Sequence, residues 1–237
     1  MQIVINPQYE SLRPWIEQLP NTFAQSGEVI YDARNQIRVI KGADGILYNV
    51  KRYHQPRFLN RIIYTLFRAP KAQRAYDNSL FLIEHGIRTP QAIAYILMGN
   101  CWLAESYLVT IQEPLHHTFY EFRGRSIEGD EAIVSALAQL AAEMHTKGIV
   151  HKDFSPGNIL FDYENGKPQL SIVDINRMER NRYLTKRACC RHFCRLWGEE
   201  DFFRYLGHEY ARFRGWDVRQ TTQLIIKYHR QYWRFRT

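Results

Sequence analysis

The chain has 237 residues, 45% of them hydrophobic and 14% aromatic, which fits a globular protein with a sizeable core and excludes a disordered one. Its formal net charge is +8, so an anionic partner is expected: a nucleotide, a phosphorylated glycan, nucleic acid or an anionic membrane face. The four cysteines, Cys101, Cys189, Cys190 and Cys194, make no disulfide framework; the N-terminus reads as no secretory signal, and no apolar run is long enough to span a bilayer. A cytoplasmic protein, peripheral at most to the inner face of the cytoplasmic membrane, is expected.

Residues 1–26 read as a polar lead-in with Pro7, Pro14 and Pro20 and a short helix around Leu12–Gln18. Period-two patterning with β-branched residues then predicts a three-stranded antiparallel meander: residues 28–31, 36–41 and 46–53. Its turns are Asp32-Ala-Arg34-Asn35 and Gly42-Ala-Asp-Gly45. A helix is expected over 58–69. A second runs from Lys71 to His85, with Leu80, Leu82 and Ile83 on its apolar side and Gly86 as its stop. Residues 92–96 and 101–110 read as two more strands around a Gly99-Asn100 turn.

At Ile111-Gln-Glu-Pro114 the composition shifts. Helical patterns follow over 116–122 and from Glu131 to Lys147, the latter closed by Gly148. Residues 159–163 and 169–173 pair as a hairpin around Asn165-Gly166-Lys-Pro168, and everything beyond about Thr185 reads as helix. The chain is strand-rich in front and helix-rich behind, which predicts an α+β fold of two lobes in one catalytic unit. The N-lobe spans about residues 1–110 and the C-lobe about 114–237.

Chemistry concentrates in Ile149-Val-His151-Lys-Asp153-Phe-Ser-Pro156-Gly-Asn158-Ile-Leu160. An Asp followed five residues later by an Asn, across a Pro-Gly turn, is the spacing of a phosphoryl-transfer loop. The carboxylate takes the proton of an attacking hydroxyl and the amide oxygen faces a Mg²⁺ on the nucleotide phosphates. A polar turn between helix and strand is the competing reading of the loop alone. Phosphoryl transfer also needs a phosphate-gripping cation and a second metal carboxylate. Lys51, on the third strand, shares a face with Asn49 and Tyr53 and is the candidate for the first, with a solvated strand lysine as the competing reading of it alone. Asp174, closing the strand Ser171-Ile-Val173, is the candidate for the second, a hard oxygen ligand suited to Mg²⁺; taken alone it also reads as a strand-ending Asp that caps a turn.

With Lys51, Asp153, Asn158 and Asp174 in this order, the sequence resembles the protein-kinase-like fold. Within it the sequence is most similar to the bacterial lipopolysaccharide kinases that act on Kdo (3-deoxy-manno-octulosonic acid) and core heptose. The resemblance rests on the loop, on Val173-Asp174-Ile-Asn-Arg177, on Asn49-Val-Lys51-Arg-Tyr53 and on Lys71-Ala-Gln-Arg-Ala75-Tyr76 with Gly86-Ile-Arg-Thr-Pro90. It implies an ATP- and Mg²⁺-dependent kinase with a glycolipid acceptor, a lipopolysaccharide core or lipid A precursor. Lys51 would pair with the phosphates, Asp153 would be the base and His151 would buttress the loop. Asn158 and Asp174 would be metal ligands, and backbone near Thr110–Gln112 would hold adenine. The short remainder after Asp174 has no Ala-Pro-Glu motif, which favours a small or glycolipid hydroxyl over a protein substrate.

Two departures stand out. The helix Glu that pairs with the strand Lys in kinases falls at Ala75, with Asp77 two residues along on another face. The turn over the phosphates lacks glycines, so the Arg34 and Asn35 side chains would have to replace backbone contacts. These leave a catalytically silent nucleotide-binding scaffold, or a kinase of this fold acting on a protein or small molecule, as alternatives. Cys189-Cys190-Arg-His192-Phe-Cys194 lacks a second cysteine pair and reads as packed or free thiols. His116-His117 reads as a polar loop pair. The tail from Lys227 to Arg236 reads as an amphipathic helix packed on the rear lobe; its cations and aromatics, like Arg57, Arg61 and Arg68, also suit an anionic surface. Nucleic-acid binding is not expected, since no such motif is present.

Overall fold

The structure is a computed structural model that describes residues 1–54, 69–99 and 104–234. Residues 58–68 of the expected helix, with Arg57, Asn100, Cys101 and the last residues of the tail, lie outside the described residues, among them Arg61 and Arg68. The chain divides into two compact units, residues 1–84 with 89–113 and residues 85–88 with 114–237.

The first unit is built on a six-stranded antiparallel sheet. Its strands are β1 (Gln2–Ile5), β2 (Glu28–Asp32), β3 (Asn35–Lys41), β4 (Leu47–Tyr53), β5 (Ala92–Leu97) and β6 (Ser106–Ile111), in the spatial order β1-β5-β6-β4-β3-β2. The expected meander is present as β2 to β4. Alternation along β4 sends Tyr48 and Val50 into a core with Ile5, Ile16, Leu19, Phe23, Ile93, Ile96 and Val109, and turns Asn49 and Lys51 to the other face.

The N-terminal stretch is more than a lead-in. Gln2–Ile5 pairs with β5, Gln2 opposite Leu97 and Ile5 opposite Ala94. Four residues carry too little periodicity to announce a strand whose partner is some ninety residues away. The helix α1 (Arg13–Thr22) starts with Pro14 in its first turn and continues past Pro20 for two residues.

The helix α2 (Lys71–Glu84) matches the expected span but presents another face. Ala72, Ala75, Tyr76, Ser79 and Leu82 are buried at helical spacing, whereas Leu80 is half-buried and Ile83 exposed. The small residues let the helix lie close to the sheet, where Tyr76 meets Tyr95 edge-on at 5.3 Å. The Ser79 hydroxyl donates to the Pro90 carbonyl (2.7 Å) and accepts from the Ala92 amide (3.0 Å), tying helix to strand.

The second unit is mainly helical. Residues 116–122, expected as helix, form the short strand β7 (His117–Thr118) and a 3₁₀ turn (Phe119–Phe122). His117 lies opposite Phe161 and stacks on its ring, and Thr118 and Glu121 close a capping box. The helix α3 (Glu131–Thr146) buries Val134, Leu137, Ala138, Ala141 and His145 along one stripe. It stops where Gly148 takes φ +67°.

β8 (Val150–His151) pairs with β11 (Met178–Glu179). β9 (Ile159–Glu164) and β10 (Lys167–Ile172) form the expected hairpin, tighter than the sequence indicated. Asn165 (φ +52°) and Gly166 (φ +73°) make a two-residue turn, and Lys167 and Pro168 are already in the strand.

Three helices complete the unit: α4 (Lys186–His192), α5 (Glu200–Arg214) and α6 (Val218–Trp233). The stretch between α4 and α5 is a 3₁₀ turn and loop, not helix. Gly215 in the left-handed region ends α5, and the Asp217 side chain caps α6 by accepting from the Gln220 amide. The tail packs on α5 through α6. Among the described residues no helix is long and apolar enough to cross a membrane.

Candidate active site

The second unit draws Asp153, Asn158 and Asp174 together through one residue, Val173. Its amide donates to the Asn158 carbonyl at 3.0 Å and its carbonyl accepts from His151 Nε2 at 3.1 Å. Asp174 is therefore fixed beside both ends of the loop. It takes φ +54°, ψ +42°, a left-handed conformation that costs a non-glycine residue on the order of 1 kcal/mol and that Asp tolerates better than most. Asn176 Nδ2 donates to Asp174 Oδ1 at 2.8 Å.

The loop is closed on itself. The Asp153 amide donates to His151 Nδ1 (3.0 Å) and the Ser155 amide to the Asp153 carbonyl (2.8 Å). Asn158 Nδ2 donates to the Asp153 carbonyl (2.8 Å) and to Ser155 Oγ (3.2 Å). Both amide protons of Asn158 are thereby spent on the loop, while its Oδ1 takes no hydrogen bond among the described residues. A hard oxygen on Asn158 and the carboxylate of Asp174 are the donor set Mg²⁺ accepts when phosphates and waters complete its shell, so these residues fit the ion. Two cations address the Asp153 carboxylate: Arg195 bonds Oδ1 directly, and Arg177 lies 3.9 Å from Oδ2.

In the first unit Lys51 lies opposite Leu108 on β6, which in turn faces Tyr95 on β5. This row is the one α2 covers through Tyr76. Lys51 Nζ and Lys71 Nζ sit 5.2 and 5.9 Å from the Tyr53 ring centre. Ala75 is buried on α2 and supplies no carboxylate. Burial, with the charge of Asp77, raises the Tyr76 and Tyr95 phenols. Thr110 lies opposite Asn49. Asn49 Nδ2 donates to Gln112 Oε1 at 2.8 Å and the Gln112 amide to the Leu47 carbonyl at 2.8 Å, so Gln112, just past the end of β6, is tied to β4, the strand that carries Lys51. Arg34 is exposed at the β2–β3 turn, and Asn35 opens β3 opposite Tyr53.

The family model for the lipopolysaccharide kinase (Kdo/WaaP) family matches residues 39–228, from β3 to the last helix. The chain belongs to the lipopolysaccharide kinase family. It is a phosphotransferase acting on a sugar hydroxyl. A solved structure described as WaaP in complex with acyl carrier protein is similar over 100% of both chains, with a TM-score of 0.65 and 18% identity. At that identity the likeness speaks to the fold, the α+β kinase-like one expected from the sequence. Comparison with curated proteins returns no match.

Beneath the loop this lipopolysaccharide kinase carries a buried polar chain. His192 Nε2 faces the His151 carbonyl at 2.8 Å and must donate to it. Burial pushes His192 down to about 3, so the ring is neutral and Nδ1 carries no proton. That nitrogen accepts from His145 Nε2 at 2.8 Å. Burial, then the neighbouring His192, holds His145 well below the usual histidine range, so its Nδ1 in turn accepts from the Tyr210 hydroxyl at 2.7 Å. Cys189 is the next hydrogen-bonding neighbour of Tyr210. The His192 ring also stacks on Phe154 at 4.3 Å. His151 itself is depressed by burial and donates from Nε2 while accepting at Nδ1, so it holds the loop rather than carrying protons.

Sequence reasoning missed this chain and missed Arg195. His145 was detectable as the polar member of the stripe Val134, Ala138, Ala141, His145 on an otherwise apolar helix face. Arg195 offered no signal, because its partner is forty-two positions away. Among the described residues no three His, Cys, Asp or Glu side chains group as a metal site; Cys189 and Cys190 are buried, with their thiols raised by burial.

Proposed function

We propose that this kinase transfers the terminal phosphoryl group of ATP to a hydroxyl of the lipopolysaccharide inner core, Kdo or heptose, in a Mg²⁺-dependent reaction. The whole chain, residues 1–237, works as one kinase-like domain with N-lobe 1–110 and C-lobe 114–237. The observation that carries the reading is the junction at Val173, which supports a catalytic loop rather than a polar turn.

In this reading Asp153 accepts the proton of the sugar hydroxyl as it attacks, and Arg195 and Arg177 hold the carboxylate in place. Lys51 pairs with the nucleotide phosphates, aided by Arg34 and Asn35, and the backbone of Thr110 to Gln112 holds the adenine. Asn158 Oδ1 and Asp174 would hold Mg²⁺; bound there, the ion would neutralise charge on the phosphates. The glycolipid acceptor places the reaction at the inner face of the cytoplasmic membrane, which the net positive charge suits.

The test is phosphate incorporation from ATP and Mg²⁺ into Kdo-lipid A and into a heptosylated acceptor. Transfer to one of them is expected, with Asp153→Asn reducing the rate by at least about 100-fold, the range of a lost general base. Transfer to protein but to neither glycolipid would overturn the acceptor, and an Asp153→Asn rate equal to wild type would overturn the mechanism.

A further inference from the structure

The loop is joined to a surface that the catalytic reading leaves unused. Gly157 abuts the Tyr120 ring so closely that a Cβ there would stand 2.5 Å from one ring carbon and 3.0 Å from the hydroxyl. Tyr120 is 48% exposed and meets Trp197 at 4.8 Å between ring centres. The Arg123 guanidinium lies 4.7 Å from the Trp197 centre. Trp197 is two residues from Arg195, which bonds the Asp153 carboxylate. The ring contact of Tyr120 with Gly157 and the two-residue step from Arg195 to Trp197 therefore attach one aromatic shelf to the base.

The charge on this shelf is unbalanced. Asp153 is one negative group shared by Arg195 and Arg177, and Arg123 has no acidic partner among the described residues. Aromatic faces set beside guanidinium forks provide apolar contact for a ring together with bidentate pairing for an anion.

We propose that Tyr120, Trp197, Arg123 and Arg195 form the acceptor subsite and select an anionic sugar, one bearing a carboxylate or a phosphate, over a neutral one. The proposal rests on the kinase reading above for the identity of the base. The sugar ring lies against Tyr120 and Trp197, its anionic group pairs with Arg123, and its hydroxyl reaches Asp153. Arg195, already bonded to the base, positions both partners.

The experiment has two independent arms. Equilibrium dialysis measures binding of three methyl glycosides without any turnover: a 2-ulosonic acid, a hexose 6-phosphate and a neutral heptose. At least one anionic glycoside is expected to bind about tenfold more tightly than the neutral one, the step set by a single charged contact. Arg123→Gln should bring the anionic value to the neutral one, and the two anionic probes tell carboxylate from phosphate. The second arm is kinetic. Trp197→Ala and Arg123→Gln should raise KM for the glycolipid about tenfold or more while KM for ATP stays put, and Arg204→Gln, an equal charge change at a residue paired with Glu200 on α5, should alter neither. Circular dichroism of each variant separates a misfolded protein from a weakened site.

Equal binding of neutral and anionic glycosides, or no saturable binding below about 10 mM, overturns the subsite. Unchanged glycolipid KM in both folded variants does the same. Failure of the wild type to phosphorylate any glycolipid would instead overturn the kinase reading, and the dialysis arm would still decide the shelf.

Discussion

His192→Gln isolates the buried histidine chain through its protons. The sign follows from the direction of the shift. Burial pushes native His192 down to about 3, whereas an unfolded histidine titrates near its ordinary value of about 6.5. Stability from this group is therefore fully present above pH ~6.5 and is lost as pH falls towards 3, because the unfolded chain takes up a proton that the native chain refuses. His192 is half-buried as a residue, yet both ring nitrogens are bonded inside the protein, so its neutral form is the one the structure holds. Between pH 7 and pH 5 the loss amounts to about 2 kcal/mol, at ~1.4 kcal/mol for each unit below 6.5. Glutamine donates and accepts at its tip but does not titrate. The variant should be less stable than wild type at pH 7 by ~1–3 kcal/mol, since hydrogen bonds and the stack on Phe154 are weakened. At pH 5 that gap should shrink by about 2 kcal/mol. Urea denaturation at pH 5, 6 and 7, followed by tryptophan fluorescence, reads both quantities. Wild-type and variant stabilities that fall in parallel with pH would refute the neutral, proton-ordered chain.

The glycines separate rigid from yielding neighbours. Gly148→Ala places a Cβ 2.6 Å from the Arg182 carbonyl oxygen at φ +67°; a backbone neighbour cannot step aside, and a loss of at least ~1–2 kcal/mol is expected by thermal denaturation. Gly157→Ala meets only the end of the Tyr120 ring, which can swing outward, so stability by thermal denaturation should hold within ~1 kcal/mol while glycolipid KM rises. Ser79→Ala removes the bridge between α2 and the start of β5 and should cost ~1–3 kcal/mol, measured by denaturant titration, because a buried amide and carbonyl lose their partner. A change below ~0.5 kcal/mol there would mean that water replaces the hydroxyl.

Elements written in local pattern were legible. The meander shows in period two along β2 to β4, α3 in its apolar stripe, and the β9–β10 hairpin in Asn165-Gly166. What escaped was short or non-local. β1 has four residues and a distant partner, and β8 and β11 have two residues each and hold only through each other. At the site, Asp153, Asn158 and Asp174 stand in sequence order at fixed spacings, so their convergence could be expected. Arg195, His145 and His192 reach the loop from separate helices and turns, and nothing in their neighbours' identities announces the contact. α2 shows a further limit: its hydrophobic residues marked one face, but its small ones, Ala72, Ala75 and Ser79, are the ones the sheet requires.

The one-way order of the histidine chain also bears on how such a sequence is free to drift. Each link donates in the same direction, from Tyr210 through His145 and His192 to the His151 carbonyl. A single apolar replacement therefore strands a buried nitrogen or carbonyl on one side, whereas a concerted change to apolar residues strands far less. Tyr210, His145 and His192, spread over some sixty-five positions, are one physical unit under substitution. Variants that carry only part of the change lose hydrogen bonds that the complete change does not leave unmet.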